Sequence, residues 1–195
     1  MDALLDAAEG LLIDEGYAAV TTRRLAERAG VNHGLVHYYF GSMEEVLLQT
    51  LERFTQRLIE RQRAMYGSEA PFIDKWRMAM GYLPEDIAAG YPKVFYELQA
   101  MSWNQREFRD RVVKVNAEWR AVLTRAFEEA MRVYGIDRRR FPVAAVVSLV
   151  MTFNLGLQLE QLIGVDEGHA ELLAMIDRWL SSLGPGQPQR PASKR

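Results

Sequence analysis

The sequence predicts an all-α protein of about nine helices, arranged as a small N-terminal bundle followed by a larger one. Three observations carry this expectation. Apolar residues recur at helical spacing along nearly the whole chain, no sustained alternation of apolar and polar residues marks a strand, and no Asn-Gly or Asp-Gly pair marks a hairpin. The 195 residues allow one or two domains at roughly 100–200 residues each. Hydrophobic residues make up 49% and charged residues 26%, the balance of an ordinary globular chain rather than a disordered one. A net charge of −2 excludes a globally basic nucleic-acid binder but leaves room for a local site.

The elements follow in order. Leu4, Leu5, Ala8, Leu11 and Leu12 form one apolar stripe, which Asp14-Glu15-Gly16 ends, Gly16 suiting a left-handed position after the helix. Thr21 or Thr22 caps a second, short helix to Ala29, closed by Gly30. Asn32 caps a third, to about Tyr39. Gly41-Ser42 then separates this from a long helix, Met43 to about Met65. Beyond Gly67-Ser68 and Pro71 the pattern continues as 72–89, 91–101 and a long segment from Ser102 to Tyr134. Pro142 suits a helix start and opens a helix to about Ile163. The last helix spans 168–183, and the Pro- and Gly-rich tail from Gly184 is expected to be disordered. The expected organisation is a small helical domain at 1–43, a larger helical domain at 44–183, and a tail at 184–195.

Several chemistries are excluded at once. The chain has no cysteine, hence no disulfides, thiolate metal sites or cysteine nucleophiles. Its start is acidic and broken by Asp6 and Glu9, unlike a signal peptide. The most apolar stretch, 143–159, is 17 residues long and carries Ser148, Thr152, Asn154 and Gln158, short and polar for a membrane span. A cytoplasmic protein is expected. His33 and His37 stand four apart on one helix, a spacing that can hold a metal, but no third ligand is evident, so no metal and no cofactor are expected. Neither a phosphate-cradling glycine loop nor a serine nucleophile elbow occurs, and the chain is not expected to be an enzyme.

The informative segment is Thr22 to Phe40. A helix-turn-helix needs a small residue where its helices cross, a turn residue tolerant of positive φ, and apolar anchors under its second helix. Ala26, Gly30 and the set Val31, Val36 and Tyr39 meet these needs. The outer face then carries Asn32, His33, Gly34, Leu35, His37 and Tyr38, short or hydrogen-bonding groups near the helix end that enters a major groove. Gly34 permits close backbone approach, Asn32 and His33 can read base edges, and Leu35 can touch a thymine methyl. Thr22, Arg23, Tyr38 and Tyr39 suit phosphate contacts.

Residues 4–51 resemble the DNA-binding domain of TetR-type (tetracycline-repressor) transcriptional regulators. The match lies in Ala7-Ala8, Gly16-Tyr17, Thr21-Thr22-Arg23, the run 25–31 from Leu25 to Val31, the run 34–42 from Gly34 to Ser42, and Glu44-Glu45. The resemblance implies a homodimer on double-stranded DNA at a palindromic operator, as a rule a repressor, released when a small, largely apolar molecule occupies the C-terminal domain. Met43 stands where the family usually has a phosphate-binding lysine, and His37 where it has tyrosine. Residues 1–50 hold eight acids against three arginines, so few phosphate contacts and a shallow salt dependence are expected.

The larger domain supplies candidates of two kinds. The helix from Pro142 is too broadly apolar for one amphipathic face. With the last helix it is expected to build a two-fold interface through Val146, Val150, Phe153, Leu157, Ile176, Trp179 and Leu180. A mostly apolar ligand pocket is expected among Trp76, Met80, Leu83, Phe95, Tyr96, Gln99, Trp103, Asn116, Trp119, Phe153 and Asn154. The competing readings are a helical interaction module, or a pocket-bearing enzyme, that no longer binds DNA.

Overall fold

The computed structural model describes residues 1–183, and the tail expected from Gly184 lies outside the described residues. Among the described residues there are nine α-helices and no strand. They are α1 (Asp2–Glu15), α2 (Thr22–Ala29), α3 (Gly34–Phe40), α4 (Met43–Tyr66), α5 (Phe72–Ala88), α6 (Tyr91–Met101), α7 (Arg106–Val133), α8 (Val143–Leu162) and α9 (His169–Ser182), with a short 3-10 turn at Tyr17–Ala19. The chain divides into two compact units. One comprises Met1–Arg61 and Leu83–Glu118, the other Gln62–Tyr82 and the chain from Trp119. The boundary expected at residue 43, which is one of role, falls inside the first unit.

The first unit is built on the stripe of α1, where Leu4, Leu5, Ala7, Ala8, Leu11 and Leu12 are all buried. Leu25 and Ala26 of α2, Val36 and Phe40 of α3 and Val46, Leu47, Leu48 and Leu51 of α4 add to the buried set. Helix α6 is tied to the end of α1. The Lys93 ammonium donates to the Ile13 carbonyl at 2.8 Å, and the Glu97 carboxylate accepts from the Tyr17 amide at 2.6 Å. This pairing explains one departure from expectation. Gly16 has φ 85° but ψ 178°, so the chain leaves α1 extended rather than in the left-handed helical turn, and a Cβ there would lie 3.0 Å from the Glu97 carboxylate.

A second departure concerns α7, which starts at Arg106 rather than Ser102. Two turns fill the interval, and the Arg109 guanidinium holds them by donating to the carbonyls of Ser102 (3.2 Å) and Trp103 (2.9 Å). The core of the second unit is Leu123, Phe127 and Val147, with Tyr66, Phe72, Val143, Val146, Val150 and Met151 packed against it. Phe72 meets Phe127 edge-on at 5.3 Å between ring centroids. Helix α8 runs 20 residues, longer than the 17-residue run counted in the sequence, and by length and composition alone it could cross a membrane.

Within the first unit, Asp86 is buried and pairs with the Arg61 guanidinium at 2.6 and 2.7 Å. Burial pushes the Asp86 carboxyl above the usual carboxylate range, and the Arg61 hydrogen bonds oppose this. Arg61→Ala removes that partner and leaves a buried charge. Chemical denaturation at neutral pH should then report a loss of about 2–3 kcal/mol. The loss should shrink in acid, where a raised carboxyl takes up its proton and the charge disappears.

Candidate nucleic-acid interface

The turn between α2 and α3 is built by backbone chemistry. Thr21 caps α2, its hydroxyl accepting from the Arg24 amide at 3.4 Å. At the other end Gly30 adopts φ 65° and ψ 32°, the left-handed helical region. Its amide donates to the Glu27 carbonyl (3.2 Å), and the Val31 amide donates to Ala26 (3.0 Å). Together these bonds form a Schellman closure, which satisfies the last carbonyls of α2 and turns the chain into α3. The Asn32 side-chain oxygen then accepts from the Gly34 amide at 2.8 Å, so Asn32 caps α3 as the sequence predicts. Ser42 does the same for α4, accepting from the Glu45 amide at 3.1 Å.

These closures fix which side of α3 is covered. Val36 and Phe40 are buried, whereas Tyr39 is 46% exposed and Tyr38 is 79% exposed. Tyr39 was expected among the inner anchors, and Phe40 takes that part. Val36 to Phe40 is one helical turn, which puts both on one face, while Tyr39 is rotated away by about 100°. Asn32, His33, Gly34, Leu35 and His37 are all exposed. Thr22, Arg23, Asn32, His33 and His37 line one concavity of about 690 Å3 between α2 and α3. The rings of Tyr38 and Tyr39 lie edge-on at 5.1 Å. Met43 is half-buried at the start of α4. The spare capacity differs along this row. The Asn32 oxygen is spent on its cap, leaving the amide nitrogen to face outward, and the His37 imidazole lies 3.4 Å from the Gly41 carbonyl.

Charge on this unit is paired internally. Arg24 grips Glu15 with two bonds (2.5 and 2.7 Å), Arg28 meets Asp14 at 2.7 Å, and Arg23 meets Glu27 at 2.8 Å. The Arg24 hydrogen bond holds the Glu15 carboxyl below the usual carboxylate range. From α4, Arg53 reaches Asp6 (2.8 Å) and Glu9 (3.2 Å), and Arg57 reaches Glu9 (2.6 Å). Arg53 and Arg57 of α4 therefore neutralise α1 rather than standing as free cations.

A family model described as bacterial regulatory proteins, tetR family, matches residues 4–50. Residues 4–50 are thus a tetR-family DNA-binding domain by sequence. Among curated relatives, the HTH-type transcriptional regulator BetI of Rhizobium meliloti (strain 1021) is 43% identical over 96 residues, 45% of this chain and 46% of that protein. An HTH-type transcriptional repressor of Mycobacterium tuberculosis (strain ATCC 25618 / H37Rv) is 36% identical over 69 residues, 35% of each chain. The chain thus spans less than half the length of these relatives in its matches. Solved structures extend the likeness of fold. A TetR-family regulator from Rhodococcus has a TM-score of 0.73 at 21% identity, covering 91% of this chain and 96% of that one. Bacillus subtilis FadR, in complex with stearoyl-CoA, gives 0.67 at 18% identity, covering 93% and 96%. A regulator from Saccharomonospora viridis, in complex with choline, gives 0.72 at 19% identity, covering 93% of each chain.

The residues expected to line a ligand pocket fall into both compact units. In the first, Leu83 and Phe95 are buried, Tyr96, Gln99 and Asn116 are half-buried, and Trp103 is 71% exposed. Burial pushes the Tyr96 phenol up to about 12, and the Gln99 side-chain oxygen is buried without a partner. In the second, Trp76 is buried, and Met80, Trp119, Phe153 and Asn154 are half-buried. Asn116 and Asn154, the two asparagines among the pocket candidates, are both partnered; the Asn154 amide donates to the Val150 carbonyl at 2.9 Å.

The residues expected at a two-fold interface are mostly covered by their own chain. Leu157 and Leu180 are buried, Val146 and Val150 pack on the core, and Phe153 and Ile176 are half-buried; Trp179 is exposed. The open face of α8 lies one position earlier, at Ala145, Leu149, Thr152, Gly156, Leu159 and Ile163, with Met175 and Trp179 exposed on α9.

Because a Cβ at Gly30 would meet nothing within 4 Å, Gly30→Ala isolates the cost of the left-handed backbone. Thermal or denaturant unfolding should show a loss of about 1–2 kcal/mol. A neutral result would mean that the turn does not depend on the left-handed conformation.

Proposed function

We propose that the protein is a sequence-specific DNA-binding transcriptional repressor that acts in the cytoplasm as a homodimer on a palindromic operator and leaves it when a small organic molecule binds. The observation that carries the reading is the bare outer face of α3. Its anchors Val36 and Phe40 are committed to the core, while six consecutive or near-consecutive residues that can meet bases or phosphates stand free of protein. In use, Leu35 and Gly34 lie against base edges, the Asn32 amide and His33 donate to acceptors in the groove, and Thr22, Tyr38 and Tyr39 meet phosphates from either side. The DNA-facing set is Thr22, Arg23, Asn32, His33, Gly34, Leu35, His37, Tyr38, Tyr39 and Met43.

Dimerisation follows from the need to reach successive grooves, about 34–36 Å apart or a multiple of that. The row Ala145, Leu149, Thr152, Gly156, Leu159 and Ile163 supports it. Large side chains stand at three of its positions, while Ala145 and Gly156 let a second helix approach closely. Isologous pairing of α8 and α9 with their copies gives a four-helix contact, with Trp179 at its edge. Small-molecule control is supported by two fold neighbours, solved with choline and with stearoyl-CoA. Linkage requires that whatever weakens DNA binding is itself bound more weakly when DNA is present.

Two measurements test this reading. Selection of bound sequences from a random duplex pool should yield a palindrome, and Tyr38→Ala should weaken binding to it about tenfold without changing the melting temperature. Because the arginines nearby are paired with acids, the salt dependence should correspond to fewer than six phosphate contacts per half-site, and a steeper slope counts against the assigned contacts. For the dimer, Leu149→Arg should convert the wild-type species to a folded monomer in analytical ultracentrifugation. An unchanged dimer would move the interface off α8.

A further inference from the structure

A groove of about 520 Å3 runs along the turn that joins α4 to α5 and the facing side of α7, all within the second unit. Its floor is apolar, with Phe72, Val122 and Ala126. Its rim carries Arg63, Lys75 and Arg125. The charges are unevenly matched. Among the described residues Arg63 and Arg125 have no carboxylate partner, a condition they share with Arg109, Arg138, Arg139, Arg140 and Arg178, whereas Arg24, Arg28, Arg53, Arg57, Arg61, Arg77, Arg111 and Arg132 each have one. The Lys75 ammonium donates to the Tyr66 carbonyl at 2.9 Å, which holds it at the groove. Two acids line the same space. Glu129 is neutralised by two bonds from Arg132 (2.5 and 2.9 Å), and Glu69 stands at the turn.

We propose that this groove binds an amphipathic organic anion, its acidic head held by Arg63 and Arg125 and its apolar body lying on Phe72, Val122 and Ala126. Two guanidinium forks facing one space suit a carboxylate or phosphate head, each of which offers oxygens for paired N–H bonds. Tyr66, whose phenol burial pushes up to about 12, also lines the groove. The volume is in the range of small-molecule sites, and the hydrophobic floor gives the body of the ligand somewhere to leave water. A quaternary ammonium head meets the wrong sign of charge at this rim. The proposal names a ligand class for the effector reading and rests on that reading only for its regulatory meaning.

Titration calorimetry on the full chain without DNA tests it, with four ten-carbon probes kept below their micelle concentrations: decanoate, decyl phosphate, decanol and decyltrimethylammonium. At least one anionic probe should bind ten times or more tighter than decanol, and the better of the two identifies the head. The ammonium probe should bind no better than decanol. Arg63→Gln with Arg125→Gln should weaken the anion at least tenfold and leave decanol unchanged, while Ala126→Phe should remove binding of all the probes. Equal binding of anion and decanol, preference for the ammonium, or unchanged anion affinity in the double variant overturns the proposal. Operator binding by the wild-type protein without ligand is scored separately, so its failure would strike the repressor reading and leave the anion site standing.

Discussion

The conformation of one residue, Gly30, governs how the first unit can present a surface. Its left-handed backbone lets two amides fold back onto the end of α2, and the chain then re-enters a helix within four residues. With Ala26 buried three positions from the end of α2, nothing bulky occupies that stretch of its inner face. The consequence reaches outward. Once Val36 and Phe40 are fixed inside, helical geometry alone dictates that Leu35, Tyr38 and Tyr39 point away from the core. The reading face is therefore a product of the turn rather than of any interaction made by the face itself.

The electrostatics of the same unit follow a different logic. A nucleic-acid surface ordinarily advertises itself by unpaired cations, yet here the arginines of α2 and the first arginines of α4 are spent on Asp6, Glu9, Asp14, Glu15 and Glu27. Most of these pairs are exposed and individually worth little. Their collective effect is on the field, since an acidic α1 held close to four arginines presents neither sign strongly. On the proposed function, recognition then falls to neutral donors and to shape. Such contacts depend on register far more than on ionic strength, which makes the rigid closure at Gly30 more important to this chain than to one with a basic stripe.

Local chemistry made much of the fold legible in the sequence. Thr21, Asn32 and Ser42 are capping residues because their side chains have the right reach, and each caps the helix that follows it. Gly30 and Ala26 are informative for the same reason, being demands of backbone and of space that few residues meet. The misreadings came where tertiary partners decide. Tyr39 and Phe40 are adjacent apolar residues, and only the packing of α3 tells which one goes inside. The exit at Gly16 depends on Glu97, which holds the Tyr17 amide from eighty positions away, and the start of α7 depends on Arg109 clamping two carbonyls. The groove at the α4–α5 turn was missed because its cations come from three separate helices and form no run in the sequence.

Helix α8 shows the limit most clearly. Its apolar residues surround it almost completely, so periodicity cannot say which side faces the core, and a reading one residue out of register selects the neighbouring face. Structure resolves this through what the helix already touches. Val147 and Leu157 are buried, and Val143, Val146, Val150 and Met151 are packed on or beside the core of the second unit. The same contacts argue against the membrane span that its length would permit. The Arg120 guanidinium donates to the Ser148 hydroxyl at 2.9 Å, a charged group docked near the first third of the helix, where a hydrocarbon environment would make it costly. A helix bound to a core on one side, met by a cation on another, and bare along Leu149, Gly156 and Ile163 has one apolar side left to cover. A second protein surface covers such a face without stripping water from Arg120, and lipid does not.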